Sequence, residues 1–491
     1  MKPVREWTRL WRLAALIAGL VLAVPAGLRA EVEESAAAED SAAEEGGGES
    51  DAEHGKHSSR LSDERIPLQT ETMPERPKLL LELGNPYLGT GRIKRGVELP
   101  TGAVWQPTLI LFGTLRSALQ TFHDGDSERT EWANRLDLFG NLQLSGTERL
   151  VVGFRNLDRN GRFTSYVFEP DLDDPFVDEL NSDIQALYFE GDFGEIFPRL
   201  DPEDVGRKDI GFSIGRQPLF FQEGMLLNDS IDGIGITRNT LLPKNTSNFR
   251  VTFFLGLDNI DRTNVEDESA SLFAVLTSTD LRRSTVDADL AYVSGDALTG
   301  DQVALGVSAV QRLGKTNTSF RLLGSVATGE ETPFATDGIL LFSEVSWTPP
   351  YGHDLFYFTT FWAFDEYSAA AAGPASGGPL GRAGITYAAV GLGSFGAPLS
   401  SRARDVAGGA VGYQKFIGSE ARRQVIAELG VRLGTATEVA DEAAVSLRYQ
   451  AAYGRRVVLV LDAFAGTRES LVEGVGDEGV WGGRVEFRLK F

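Results

Sequence analysis

The last seven residues of the chain, Val485-Glu486-Phe487-Arg488-Leu489-Lys490-Phe491, decide the predicted fold. Apolar and charged side chains alternate through this stretch without exception, and the apolar series ends on a terminal phenylalanine. Successive side chains of a β-strand point to opposite faces of the sheet. The alternation therefore predicts a strand with one apolar face and one charged face.

The same alternation recurs along most of the chain. A membrane-spanning β-strand needs roughly 10 residues, apolar toward lipid and polar toward the lumen. Eighteen segments fit this pattern: 105–121, 131–145, 148–158, 183–192, 208–217, 231–240, 247–258, 270–280, 285–295, 302–313, 317–328, 337–348, 354–365, 405–416, 421–434, 442–453, 456–466 and 478–491. The terminal strand also resembles the sorting signal of bacterial outer-membrane barrels. We predict an all-β protein, a transmembrane antiparallel β-barrel of about 18 strands, over residues 105–491.

The lengths of the connections support an even strand number. Barrels of this kind have short periplasmic turns and longer external loops. With 18 strands, short turns such as 145–147 and 454–455 fall at one end, and the predicted long loops fall at the other: 159–182, 218–230, 366–404 and 467–477. The weak candidate 383–394 breaks this order when it is counted as a strand. Only the connection 193–207 is longer than expected for a periplasmic turn.

The residues before the barrel read as three segments. Residues 1–30 carry a basic start and a short apolar run, which predicts a signal peptide, with an N-terminal membrane anchor as the alternative. Residues 31–78 are rich in acids, Ala, Gly and Ser, which predicts a disordered acidic periplasmic tail or a docking arm. Residues 79–104 lead into the barrel or form a small plug.

Composition argues against several functions. The chain has 47 Lys and Arg against 70 Asp and Glu, a net charge of −23, which disfavours a nucleic-acid partner. There are no cysteines and only four histidines. We therefore expect no catalytic residue, no metal site, no cofactor and no enzyme activity; His123, beside Asp124, is the one weak candidate for a base.

Arginines dominate the positively charged positions predicted to face the lumen. Strand parity predicts which arginines face inward, and we take the same residues as the candidate anion contacts. They are Arg116, Arg135, Arg155, Arg250, Arg321, Arg432, Arg448, Arg484 and Arg488. A guanidinium binds carboxylate, sulfate or phosphate with two parallel hydrogen bonds, so a series of them suits an anionic solute. In the alternative interpretation these arginines pair with inward acids such as Asp137 and Asp462, and only stiffen the wall.

One short motif resembles a known family. Gly215-Arg216-Gln217-Pro218-Leu219 is followed by a loop and by Asp232-Gly233. This is similar to the alginate-export family of outer-membrane porins, in which a strand ending in Gly-Arg-Gln precedes an Asp-Gly strand start. The resemblance implies 18 strands and an arginine-rich lumen that passes an acidic polysaccharide. Strict alternation nevertheless places Arg216 outward, unless a β-bulge at Gly215 reverses it.

The sequence thus predicts an outer-membrane channel for passive passage of small or oligomeric anionic solutes, including acidic saccharides. The expected partners are outer-membrane lipid, that solute, and the barrel-insertion machinery through the strand ending in Phe491. The alternative is a non-conducting scaffold or adhesion barrel. Two loops have alternative interpretations. Residues 171–183 form a solvated acidic loop or bind calcium, and residues 366–404 either constrict the mouth of the barrel or form a mobile surface loop.

Overall fold

Backbone pairing of the first and last strands closes the sheet. The computed structural model describes residues 79–84, 95–200, 209–263, 265–350, 352–418, 421–472 and 476–491. The last strand is antiparallel to the first, with Leu489 opposite Leu115. The Gly113 amide donates to the Phe491 carbonyl at 2.8 Å, and the Phe491 amide donates back to the Gly113 carbonyl at 3.1 Å. The predicted all-β fold, a closed antiparallel barrel of 18 strands, is confirmed.

The wall strands are numbered here in chain order. They are β1 Thr108–His123, β2 Glu128–Gln143, β3 Arg149–Arg155, β4 Ile184–Asp192, β5 Ile210–Phe221, β6 Leu227–Leu241, β7 Asn248–Asp258, β8 Ser271–Asp280, β9 Ser284–Ser294, β10 Gln302–Leu313, β11 Thr316–Ala327, β12 Gly338–Trp347, β13 Leu355–Tyr367, β14 Ala403–Ile417, β15 Arg423–Gly434, β16 Glu442–Tyr453, β17 Val457–Arg468 and β18 Glu478–Lys490.

Shorter elements lie in the connections. The additional strands are Leu81–Leu83, Val97–Glu98, Val104–Trp105, Asp158–Arg159, Arg162–Glu169, Phe176–Val177, Ile260–Asp261, Glu266–Asp267 and Ala371–Ala372; the helical turns are Phe193–Ile196, Pro198–Leu200, Gln222–Gly224 and Pro379–Arg382. Within the described ranges, no helix is long and apolar enough to cross a bilayer. The predicted signal peptide and acidic tail, residues 1–78, lie outside the described residues.

The outer face of the wall is apolar and uncovered. On β18, Phe487 is 55% exposed while its neighbour Glu486 is completely buried, and on β16 Val445 is 54% exposed while Ala444 is 3% exposed. Exposed apolar side chains recur in this way on strands all around the barrel. A continuous apolar surface of this size needs lipid rather than water as its solvent. The barrel therefore spans a membrane.

Part of the predicted external loop 159–182 belongs to the wall. Arg162–Glu169 pairs with residues 130–134 of β2, with Asn134 opposite Thr164. It continues the line of β3, which itself ends at Arg155. Interrupting the strand at 156–161 breaks the period-2 pattern, which is why the pattern did not reveal this continuation. Residues 383–394 form no strand, in agreement with the count of 18.

The prediction of a long external loop at 218–230 is wrong. Strand β5 continues to Phe221 and β6 begins at Leu227, so the turn between them is only residues 222–226. The tip of this hairpin is apolar, and Met225 and Leu226 are almost completely buried. Burying these side chains inside the barrel removes them from water, which is the physical reason for the difference.

The hydrophobic core lies inside the barrel. Apolar inward side chains of β8 to β13 contribute to it, among them Leu276, Leu323 and Leu340. They form one cluster with the hairpin tip and with Leu380 and Tyr387 of the connection 368–402. This connection therefore folds into the barrel rather than over its outer surface. It occupies space that a simple porin would leave to water.

The two faces of β7 provide a test of the membrane assignment. Phe253 is 49% exposed on the outer face, whereas Thr252 lines an internal cavity. We expect Phe253→Arg to destabilise the barrel in lipid vesicles by about 2–4 kcal/mol, because it places a charge in hydrocarbon. Thr252→Arg is the matched control and should cost much less. Urea unfolding in vesicles measures both; equal losses would contradict the assigned faces.

Candidate functional site

A cluster of arginines lines one side of the lumen. Six of the nine predicted arginines project from β1 to β3 and β16 to β18 and share four carboxylates: Arg116, Arg135, Arg155, Arg448, Arg484 and Arg488 with Asp137, Asp158, Asp462 and Glu486. We call this set the basic wall. Its positive charges outnumber its negative charges.

Glu486 is the centre of the basic wall. Its carboxylate accepts from Arg116 Nε at 2.6 Å and from Arg488 Nε at 2.7 Å, and it lies 2.6 Å from Arg484 Nη1. The side chains of Glu486 and Arg484 are both fully buried. Arg484 also pairs with Asp462, so the charge balance has to be taken over the whole basic wall, where six guanidinium groups meet four carboxylates and a positive excess remains.

The other carboxylates of the basic wall are also shared. Asp462 accepts from Arg448 Nε at 2.6 Å and from Arg484 Nε at 2.9 Å. Asp137 lies between Arg135 and Arg155, at 3.0 and 3.3 Å from their Nε atoms.

Asp158 projects from the connection between β3 and β4 toward this wall, 3.5 Å from Arg155. Burial raises the pKa of Asp158 despite the neighbouring arginine charges. Burial therefore disfavours the anionic form of Asp158.

The remaining three predicted arginines lie elsewhere. Arg432 is buried 3.7 Å from Glu442, and Arg321 pairs with Glu344. Arg250 has no carboxylate within ion-pair distance among the described residues, and it is exposed to a cavity of about 1310 Å³.

This cavity is lined by many more acids than bases. Arg250 and Arg321 are the arginines in its lining, and the acids are Glu190, Asp192, Glu195, Asp209, Glu223, Asp287 and Asp289. The charge inside the barrel is therefore segregated, with the basic wall on β1 to β3 and β16 to β18 and an acidic cavity bordered by β4 to β11. Sequence parity identified the arginines but not this separation.

The connection 368–402 covers part of the basic wall. Arg116 Nη2 donates to the Val390 carbonyl at 3.0 Å, and Arg135 Nη1 donates to the Gly391 carbonyl at 3.1 Å. The Arg484 guanidinium lies 5.5 Å from the centre of the Phe395 ring. The loop predicted at 366–404 therefore lies inside the barrel rather than on its surface.

Arg216 is on the outer face of the barrel. Its guanidinium pairs with Asp232 and donates to the Ile184 carbonyl, while Gln217 lines the acidic cavity. The register with β6 is unbroken from Ile210 to Phe221, so Gly215 causes no bulge despite its φ of 117°. The lumen role that the alginate-export resemblance implies for this arginine therefore does not carry over.

His123 and the acidic loop 171–183 were the other candidates for chemistry. The His123 ring stacks on Trp481 with the ring centres 5.8 Å apart. Across the described ranges, including the acidic loop 171–183, no three His, Asp or Glu side chains come together in a group that could hold a metal ion.

Comparison with known proteins identifies the fold. No family model and no curated protein sequence matches the chain. The structure is similar to that of OccK9 (OpdG) of Pseudomonas aeruginosa, with a TM-score of 0.54 and 11% identity over 78% of this chain and 98% of the other. It is also similar to OpdK of the same organism, solved with vanillate, with a TM-score of 0.51 and 12% identity over 78% of this chain and 99% of the other. For OccAB3 of Acinetobacter baumannii the TM-score is 0.50 and the identity 13%, over 78% of this chain and 99% of the other.

The fold is that of the outer-membrane β-barrel porins. The apolar outer surface and the closed 18-strand wall fit the same location, the outer membrane. These likenesses do not single out the alginate-export family.

The shared carboxylate gives a test of the basic wall. We expect Glu486→Gln to destabilise the barrel by about 3–5 kcal/mol, because it leaves buried Arg484 and its neighbours without their common counter-ion. Glu190→Gln breaks a half-exposed pair with Arg149 and should cost about 0–1 kcal/mol. Urea unfolding compares the two. A loss at Glu486 no larger than that at Glu190 would mean that this carboxylate does not hold the wall together.

Proposed function

We propose that the protein is a passive outer-membrane channel that favours small anionic solutes. The observation that carries this proposal is the convergence of Arg116, Arg484 and Arg488 on the single carboxylate of Glu486. Most lumen arginines are paired with acids, as the alternative interpretation expected. Within the basic wall, however, the pairing is incomplete and the excess charge is positive.

The chemistry of the basic wall suits an anion. The side chains of Arg448 and Arg488 are 22% and 30% exposed, so their remaining N–H groups can donate to a passing solute. Guanidinium groups bind carboxylate or phosphate oxygens in pairs, and a confined lumen strengthens the attraction. The acidic cavity repels anions, so the solute is expected to follow the basic wall.

The filled interior favours small solutes over oligomeric ones. The hairpin tip 222–226 and the connection 368–402 together occupy a large part of the lumen. OpdK, one of the similar structures, was solved with vanillate, which is a small aromatic carboxylate. We extend that chemistry to this chain as a substrate class. Acidic saccharides would need the connection to move aside.

A non-conducting scaffold is the second candidate. The observation that favours it is the same internal packing, because side chains such as Tyr387 and Leu392 are completely buried between the connection and the wall. A scaffold predicts no ion current after reconstitution.

Planar-bilayer recordings under a KCl gradient distinguish the two. We expect the wild type to prefer chloride, and Arg488→Gln or Arg448→Gln to lower the chloride-to-potassium permeability ratio. Removing one partly screened charge, worth about 0.7 kcal/mol, corresponds to roughly a threefold change. Arg216→Gln, on the outer face, is the control and should leave the ratio unchanged. A potassium preference in the wild type would refute anion selectivity.

A further inference from the structure

We propose that three glutamates of the wall, Glu131, Glu428 and Glu442, are positioning residues that hold residues 384–400 across the lumen and thereby set the width of the channel. We call 384–400 the crossing segment. The inference rests on the proposed channel function and adds to it the groups that fix its aperture. None of the three was among the residues that strand parity singled out as anion contacts.

Glu428 on β15 holds the beginning of the crossing segment. Its carboxylate accepts from the Ile385 amide at 3.0 Å, and from the Thr386 amide and hydroxyl at 2.7 and 2.6 Å. The Tyr357 hydroxyl donates to it from β13. Glu428 is 4% exposed. Two consecutive backbone amides therefore have a wall carboxylate as their acceptor.

Glu131 on β2 holds the middle. It accepts from the amide and the hydroxyl of Ser394, the latter at 2.8 Å. Gln120 and Arg129 also donate to it, at 2.9 and 3.0 Å. Glu131 is 1% exposed, so its charge is balanced almost entirely by these donors.

Glu442 on β16 holds the end. It accepts from the Ser400 amide at 2.7 Å and from Arg468 Nε at 3.1 Å, with Arg432 at 3.7 Å. The segment is thus fixed at its beginning, middle and end by carboxylates from three different wall strands.

Two glycines permit this close approach. A Cβ atom at Gly384 would lie 2.5 Å from both carboxylate oxygens of Glu428, and one at Gly393 would lie still closer to Glu131 Oε1. Gly393 also has a φ of 59°, which strains other residues. The sequence of the segment therefore matches the positions of the wall carboxylates.

The crossing segment has no strand of its own to fix it. Residues 384–400 contain no helix or strand. Tyr387 and Leu399 donate their amides to carbonyls within the segment, whereas the amides bonded to the three glutamates have acceptors only from the wall. A carboxylate makes the strong, charge-assisted form of this bond. The same segment offers its Val390 and Gly391 carbonyls to Arg116 and Arg135. Releasing it would free both guanidinium groups and widen the path along the basic wall.

The first test is single-channel conductance in planar bilayers. We expect Glu428→Ala to raise the conductance at least twofold while the barrel stays folded, as judged by heat-modifiable mobility on gels. Glu428→Gln keeps one acceptor oxygen and should show a smaller rise. Glu131→Ala repeats the test at the second position, in case Glu428→Ala does not fold. Folded variants at both positions with wild-type conductance would overturn the inference.

Replacing the hydrogen bonds of Glu428 with a disulfide bond makes the test specific to the position of the crossing segment. The chain has no cysteine, and a Cβ at Gly430 would lie 3.0 Å from Thr386 Cβ, so Thr386→Cys with Gly430→Cys forms a bridge after a small shift. In the Glu428→Ala background, oxidation of this pair should return the conductance to the wild-type value, and reduction should raise it again.

The control is Val445→Cys with Ala465→Cys, which joins β16 to β17 on the outer face of the wall, away from the crossing segment. It should leave the raised conductance unchanged; an equal response of both pairs would contradict positioning of the segment. If neither the wild type nor any folded variant conducts, the channel function itself fails, and the aperture role fails with it. If the wild type conducts and the bridge has no effect, only the present inference fails.

Discussion

Closure of the backbone hydrogen bonds is the constraint on which the rest of the structure depends. No water is present in hydrocarbon to satisfy an unpaired strand edge, so a membrane sheet must join its last strand to its first. Here β18 pairs with β1 over ten residue pairs, from Trp481 opposite His123 to Lys490 opposite Thr114. Once the wall is closed, every second side chain must face an enclosed space. The chemistry of that space is then set by strand parity.

Parity explains why the wall could be predicted from the sequence. Whether a residue such as Val445 or Phe487 faces lipid depends on its own neighbours in the chain, so local alternation is enough to place it. The segment predicted at 302–313 is the observed strand β10 without change. The strand count, the closure and the inward arginines all follow from this local rule.

The contents of the lumen could not be predicted in this way. Ser394 contacts Glu131 across 263 residues of sequence. A contact between residues so far apart produces no periodic pattern in the sequence. The turn 222–226 and the segment 384–400 lack regular alternation because their positions are fixed by the wall rather than by a ladder of their own. The sequence did contain one signal. Leu322 and Leu323, or Leu340 and Leu341, place apolar side chains on both faces of one strand, and an apolar inner face needs a covering partner.

Two regions of the inner wall differ in what their side chains contact. The strands β8 to β13 bury apolar side chains against the hairpin tip and the connection, and this contact excludes water. The strands β16 to β18 and β1 to β3 carry charged side chains, some fully buried in ion pairs, such as Arg484 with Glu486, and others partly exposed, such as Arg488. The connection 368–402 lies between these regions, with apolar contacts on one side and the guanidinium groups of Arg116 and Arg135 on the other. A small change in its position therefore alters the solvation of the basic wall directly, while the hydrogen-bonded wall itself can stay as it is.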